Sequence, residues 1–446
     1  MHRYREIRLS NPTDPLSVVA QLTGSDLLGT HVVYERDRCW HVAAAPLGEV
    51  VVDTAEVRDT FGGAESTSPW TGTPWPQVRE ALERVPVDGW NAYGWAAFEL
   101  ASGSTADDAL AHLFVPRLEF RVTEREVLIR ATDRGLLDAA KLVVQQTAEA
   151  GQPQPAPVDV RAADDPAYRE GVARAVSEIR SGRLQKVVLS RTVDLPFRVD
   201  MTATYLRGRA HNTPARSFLL DLSGWQAAGF SPETVVEVDP TGLASTQPLA
   251  GTRARRGDED ADHALREELT TDPKEVFEHA TSVKLAVDEL SQVGDRGATR
   301  VSEFLTVKQR GTVQHLASRV DTDLGGRPCW DALAALFPAV TASGIPKAPA
   351  YELIREAEPH ARGLYAGAVL MAGDDGGLDA ALVLRAIYQR EGTAWLRAGA
   401  GVVADSTPER EHEETCEKLS SIAPHLVPDR ADEVPVDEQP STLRAG

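Results

Sequence analysis

Two acidic pairs in this chain are spaced for joint chemistry. Glu275 and Glu278, in TDPKEVFEHA, and Glu411 and Glu414, in STPEREHEETCEKL, are each three residues apart shortly after a helix start. Residues three apart share a helix face, so each pair directs two carboxylates one way. In the first helix Val276, Ala280, Val283, Val287 and Leu290 make the apolar stripe, which leaves the glutamates off the core face. Two such helices facing one another would offer hard oxygen ligands suited to Mg²⁺, an ion that keeps waters and shares its shell with substrate. Spacing alone does not bring them together. Asp272 with Glu275 also fits a capping box, and Glu411 and Glu414 also suit the helix dipole, with Lys418 one turn on as an ion-pair partner.

Other side chains suit the handling of an anion or a proton. Arg385 ends the alternating run LDAALVLR. An inward arginine is costly unless it meets an anion, and its planar fork matches a carboxylate; an internal salt bridge is the alternative. Gly399-Ala400-Gly401 follows a strand-like run, where small residues let backbone N–H groups approach a carboxylate or simply allow a tight bend. Tyr365, in RGLYAGAV, offers a second donor or a packed ring. Lys186 lies in the apolar strand LQKVVLSR. Turned inward, it would be desolvated and poised as a general base; turned outward, it belongs to a solvated face. Glu233, in GFSPETVVEV, and His315, in TVQHLASRV, are single candidates of the same kind.

These groups need a scaffold. The 446 residues are 42% hydrophobic and 26% charged, an ordinary globular balance with length enough for a large core. The formal net charge of -20 excludes nucleic acid as a natural partner, since that needs clustered Lys and Arg. An anionic small substrate must be drawn by local cations or a metal, because salt screens the global field beyond roughly 8–10 Å. No run of about 18 apolar residues suggests a membrane span, and MHRYREIRLS lacks a signal-peptide core. Cys39, Cys329 and Cys416 lie far apart, which fits a reducing cytoplasm.

Strands are expected at 31–37, 39–45 and 49–53, with helices near 75–85 and 134–149. A Pro-rich connector covers 151–160. Asp165, Pro166 and Gly182 then cap, open and stop a helix. Strands are expected at 184–195, 216–222, 234–239, 242–249, 300–308 and 312–321, and a meander at 363–372, 378–390 and 394–404. Asp374-Asp375-Gly376-Gly377 signals a hairpin inside that meander. Long helices interrupt at 272–291, 348–358 and 408–424. Turn-joined strands with inserted helices predict an α+β fold with largely antiparallel sheets: an N-terminal part over 1–150, a catalytic region over 165–425 and a mobile tail over 427–446.

The order of the motifs is more specific than any one of them. SPE (231–233), QPLAGTR (247–253), DPKEVFEHA (272–280), VQHLASRV (313–320), FPAVTASGIPK (337–347), RGLYAGAV (362–369), LDAALVLR (378–385) and AGAGVVADSTPEREHEETCEKL (398–419) resemble, in this order, the chorismate-utilising enzymes. The resemblance narrows to the salicylate synthases within that family. Ammonia-using members lack a lysine at the position of Lys186, and FPAVTASGIPK differs from the HPTPAV-like segment typical of dedicated isochorismate synthases.

The resemblance implies one large α+β fold that binds chorismate, adds water to give isochorismate and then expels pyruvate to leave salicylate. An isochorismate synthase that releases its intermediate is the alternative. By position, Lys186 would be the general base and Glu233 the general acid. Glu278 and Glu414 would hold Mg²⁺ directly, with Glu275 and Glu411 in support through water. Tyr365, Arg385 and Gly399 would hold the enolpyruvyl carboxylate, and Gly251, Thr252, His315, Thr341 and Lys418 would line the pocket. The resemblance further implies a monomer without a glutamine amidotransferase subunit, serving siderophore or other secondary metabolism.

Overall fold

The computed structural model describes residues 2–103, 109–146, 153–255, 257–310 and 313–429. The fold is α+β: an extended antiparallel sheet in two halves, with helices packed around it. One half runs, neighbour to neighbour, through Gly344–Ile345, Lys186–Asp194, Thr393–Val402, Ala386–Arg390, Trp225–Ser231, Arg216–Leu222 and His31–Arg36. The other runs through Asn91–Ala96, Ala368–Gly373, Leu378–Leu382, Thr234–Val238, Leu243–Thr246 and Val313–Asp323. The last of these also carries Leu249–Ala254 and Arg300–Arg310.

A long antiparallel pair of strands, Cys39–Val52 and Ala111–Val122, belongs to both halves. The sequence predicts two strands at 39–45 and 49–53, whereas the chain forms one strand of 14 residues with a kink. Pro46 lies opposite Pro116 at that kink, and the register shifts between Pro46 and Gly48. Neither proline has an N–H for the ladder, so the pairing breaks there and the strand pair passes from one half to the other.

A further run breaks where a single strand was expected. The run 378–390 is split into Leu378–Leu382 and Ala386–Arg390, and these pair in different halves. Between them Arg385 takes a left-handed φ of 50°. The strand expected at 234–239 is Thr234–Val238, and an unexpected strand, Trp225–Ser231, precedes it across Pro232-Glu233. The chain thus crosses between the halves at two adjacent points, and Arg385 and Glu233 stand at those points. The expected strand at 242–249 divides at Gln247-Pro248 into Leu243–Thr246 and Leu249–Ala254, and the strand expected from 363 starts at Ala368. The turn at Asp374–Gly377 closes the predicted hairpin, with Gly376 at φ 84°.

The helices follow their caps. Asp165 accepts from Tyr168 N at 2.9 Å to open Pro166–Arg180. Asp272 opens Pro273–Leu290 and Thr407 opens Pro408–Leu419, the two helices that carry the acidic pairs. The helices expected at 75–85 and 134–149 are Trp75–Leu82 and Arg134–Gln145. Residues 147–149, the first two residues of the Pro-rich connector and 430–446 of the tail lie outside the described residues. The helix Met201–His211 is not legible from periodicity, because the face it buries is Met201, Thr204, Tyr205 and Gly208 rather than an apolar stripe. Among the described residues no helix is long and apolar enough to cross a membrane.

Candidate active site

One cleft opens between the sheet halves and the two acidic helices. Its empty volume is about 890 Å³, open solvent at the mouth included, a size suited to a small molecule. It is lined by Lys186, Glu233, Gly251, Thr252, Glu278 and His315, and by Thr341, Tyr365, Arg385, Gly399, Glu414 and Lys418. Every predicted site residue except Glu275 and Glu411 is therefore in its wall.

Lys186 points inward. The strand Lys186–Asp194 is buried on both faces along most of its length, so alternation does not send the lysine to solvent. Its Nζ donates to Glu278 Oε1 at 2.5 Å. A Cβ on the facing Gly401 would stand 3.1 Å from Lys186 Cε, so the glycine leaves room for the lysine stem. Burial alone would raise the Glu278 carboxyl, but the charge and hydrogen bond of Lys186 more than offset this and hold it below its usual range.

The second acidic helix reaches the cleft through Glu414, which pairs with Lys418 Nζ at 2.9 Å. Lys418 also donates to Gly399 O at 2.8 Å. The helices thus bring one carboxylate each, Glu278 and Glu414, to a common cleft. Glu275 instead accepts from Arg253 at 2.8 Å, and Arg253 also binds Asp272 at 2.9 Å. Asp272 caps its helix as the sequence suggests, while Glu275 turns to Arg253. Glu411 is buried behind the wall, and its Oε2 has no hydrogen-bond partner among the described residues. Burial first, and Glu414 in a smaller measure, push its carboxyl up. Among the described residues no three metal-ligating side chains form a cluster.

Glu233 is buried at the crossing. Its Oε1 accepts from Thr341 Oγ1 at 2.6 Å and its Oε2 from Leu249 N at 3.2 Å. Burial pushes its carboxyl up to about 7, so it carries a proton well into the neutral range. The sign of the resulting stability effect follows. The folded state binds this proton between the ordinary carboxylate value near 4.5 and about 7, whereas the unfolded state does not. The stability gained from burying a neutral acid is whole below the lower value and is lost as pH rises through the upper one. Glu233→Gln, which cannot ionise, should therefore gain in Tm relative to the parent as pH rises from 5 to 8. A Tm difference constant across that range would contradict the buried, proton-bearing Glu233.

Arg385 is half-buried and has no carboxylate partner among the described residues; its Nη2 lies 3.2 Å from His315 Nε2. Burial pushes its guanidinium down to about 10, an unusual value for arginine. A guanidinium only donates, so His315 Nε2 accepts and its Nδ1–H faces Thr252 Oγ1 at 2.9 Å. Burial, then the charges of Arg385 and Lys418, keep His315 well below its usual pKa and neutral. That neutral ring orients Arg385. Tyr365 Oη lies against Gly399, where a Cβ would come within 2.6 Å of it and 2.7 Å of Leu189 O. Gly251 sits in a bulge at φ 80°, against Glu275.

Arg397 also lines the cleft and was not foreseen. It is buried and held by Glu358 at 2.6 Å. The signal was available: Arg397 lies two residues before Gly399, on the same face of the same strand. Lys186, Arg385, Arg397 and Lys418 give the cleft a local cationic wall despite the acidic chain. A base candidate, a protonated acid and an arginine awaiting an anion meet in one site.

The profile of the chorismate binding enzyme family matches residues 30–424. The chain is 43% identical over 429 residues to the salicylate synthase of Mycolicibacterium paratuberculosis, covering 93% of this chain and 94% of that protein. It is 41% identical over 257 residues to anthranilate synthase component 1 of Thermus thermophilus, covering 57% of this chain and 55% of that protein. In fold it is similar to the menaquinone-specific isochorismate synthase of Escherichia coli, with a TM-score of 0.74, 22% identity and 95% of each chain covered. The chain belongs to the chorismate-binding enzymes.

Proposed function

We propose that this enzyme converts chorismate to isochorismate and then to salicylate and pyruvate. The observation that carries the reading is the inward Lys186 in the same cleft as a proton-bearing Glu233 and an Arg385 that has no carboxylate partner among the described residues. The match to a salicylate synthase along nearly the whole chain supports the choice of product.

In the first step water attacks C2 of the ring. Lys186 takes a proton from that water, and Glu233 gives one to the hydroxyl leaving C4. Thr341 and Leu249 N fix the two oxygens of Glu233, so the acid is held in place at the crossing of the sheets. The attacking group is water, so no glutamine amidotransferase subunit is needed to supply ammonia. In the second step the C2 hydrogen moves to the enolpyruvyl methylene as the C3–O bond breaks and the ring becomes aromatic. No strong acid or base is required, and the chain's contribution is to hold the side chain over the ring. Arg385, Tyr365 and Gly399 are the groups placed to grip its carboxylate.

The residues fit a bound Mg²⁺. This ion takes one or two carboxylates and fills its shell with water and substrate, and Glu278 and Glu414 are two cleft carboxylates, each engaged by a single lysine. Glu411, whose Oε2 has no hydrogen-bond partner among the described residues, stands behind them to support the site. When bound, Mg²⁺ would neutralise the ring carboxylate.

Arg385→Lys tests the division of labour between the steps. The charge stays but the two-point geometry is lost. A charge-assisted pair is worth roughly 1.5–3 kcal/mol, so chorismate should bind about tenfold or more weakly. The ratio of isochorismate to salicylate should rise, because pyruvate loss depends on the gripped side chain and water attack does not. A slower reaction with an unchanged ratio would show that Arg385 binds without orienting.

A further inference from the structure

Behind Tyr365 and Gly399 lies a buried charge cluster to which the two chemical steps give no task. Glu358, just past the helix Lys347–Ala357, accepts four hydrogen bonds. Its Oε1 takes Arg362 Nη2 at 2.6 Å and Ser190 N at 2.8 Å. Its Oε2 takes Arg362 Nε at 3.0 Å and Arg397 Nη2 at 2.6 Å. The remaining donors go to nearby oxygens, of which those of Ala342 and Val188 belong to the cleft wall. Arg362 binds Ala342 O at 2.8 Å and Val188 O at 2.6 Å, and Arg397 binds Ser190 Oγ at 2.9 Å and Ala361 O at 2.6 Å. Both guanidiniums stand 5.5 Å from the centroid of the Tyr365 ring.

A buried ionic cluster is weak as a source of stability, because desolvation cancels most of the attraction. The buried Glu99 carboxylate stands beside this one and accepts from the backbone N–H groups of Arg362 at 2.7 Å and Gly363 at 2.9 Å, so two carboxylates face the two guanidiniums. Both guanidiniums lie beside a tyrosine whose hydroxyl is confined next to Gly399. A cation over an aromatic face is attracted to it, which fixes the ring, and its field draws electron density from the phenol and strengthens O–H as a donor.

We propose that Glu358, Arg362 and Arg397 are positioning residues for Tyr365: they lock its ring and sharpen its hydroxyl as a donor to a substrate side-chain carboxylate at Gly399. The inference rests on the reading of Tyr365 as a carboxylate donor.

A double-mutant cycle of Arg397→Lys and Tyr365→Phe tests it, made in Lys186→Ala protein so that chorismate is bound without being consumed. The readout is the dissociation constant of chorismate by titration calorimetry, with Mg²⁺ present. Arg397→Lys keeps the charge but loses the fork that reaches Glu358, Ser190 and Ala361 together. Alone it should weaken binding about tenfold; in the Tyr365→Phe background the same change should add less than twofold. Equal losses in both backgrounds would show that Arg397 serves only the scaffold and would overturn the proposal. Should Arg397→Lys not fold, Ser190→Ala removes one anchor of Arg397 and should weaken binding two- to threefold, again only when Tyr365 is intact. Absence of chorismate binding by Lys186→Ala protein with no other change would overturn the reaction reading itself, whereas binding with additive losses overturns only the cluster.

Discussion

Lys186→Ala should stop the conversion of chorismate while leaving the conversion of supplied isochorismate to salicylate. The first step needs a base within reach of the attacking water, and Lys186 is the basic side chain whose Nζ lies beside Glu278 in the cleft. Positioned acid–base groups contribute on the order of 10²–10⁴-fold to rate, so a loss of that size is expected in isochorismate formation. The second step asks only for a held geometry, and Arg385, Tyr365 and Gly399 are untouched. Lys186→Ala also leaves the Glu278 carboxylate without its hydrogen-bonded cation, which costs stability. Lys186→Gln keeps a donor for that carboxylate and separates the two effects: it should fold closer to the parent and be as inactive on chorismate. Near-normal turnover of chorismate by either variant would place the base elsewhere.

Glu278→Gln and Glu414→Gln should each abolish magnesium-dependent turnover with the fold intact. A metal held by these carboxylates supplies several kcal/mol of charge stabilisation, and each 1.36 kcal/mol is a factor of ten. A loss of roughly 10³-fold is therefore expected in both variants, read as initial rate against Mg²⁺ concentration. Chelator should produce the same loss in the parent protein. Glu275→Gln should cost far less, because Glu275 is engaged with Arg253 outside the cleft wall. Full activity in chelator, or equal losses at Glu275 and Glu278, would contradict the assignment of Glu278 and Glu414.

Local signals carried well where their physics is local. Asp165 and Pro166 announced a helix, Asp374 to Gly377 a hairpin, and Asp272 and Thr407 the two acidic helices. The crossings at Pro232-Glu233 and at Val383–Arg385 were not legible. The second reads as one continuous β-rich run, and what breaks it is the passage from one half of the sheet to the other, a tertiary event; at the first, only the strand after the crossing was read and Trp225–Ser231 before it was not. Lys186 was ambiguous for a related reason: the outward alternative assumes a strand with one wet face, and this strand has none. The facing of Glu278 and Glu414 likewise depends on how two distant helices pack. The order of motifs compensated for this, since it carries a record of the whole site that spacing within one element lacks. Glu358, Arg362 and Arg397 were missed because a buried ionic cluster leaves no periodic trace in the chain.

The most direct test of the central claim is turnover of chorismate by the purified protein with Mg²⁺ in H₂¹⁸O, with every product identified and weighed by mass spectrometry. If water is added at C2 and pyruvate is then expelled, salicylate and pyruvate form in equal amounts. Each salicylate then carries one ¹⁸O in its phenolic hydroxyl, because that oxygen came from solvent. Labelled isochorismate as the end product without pyruvate, or salicylate whose hydroxyl is unlabelled, would contradict the account.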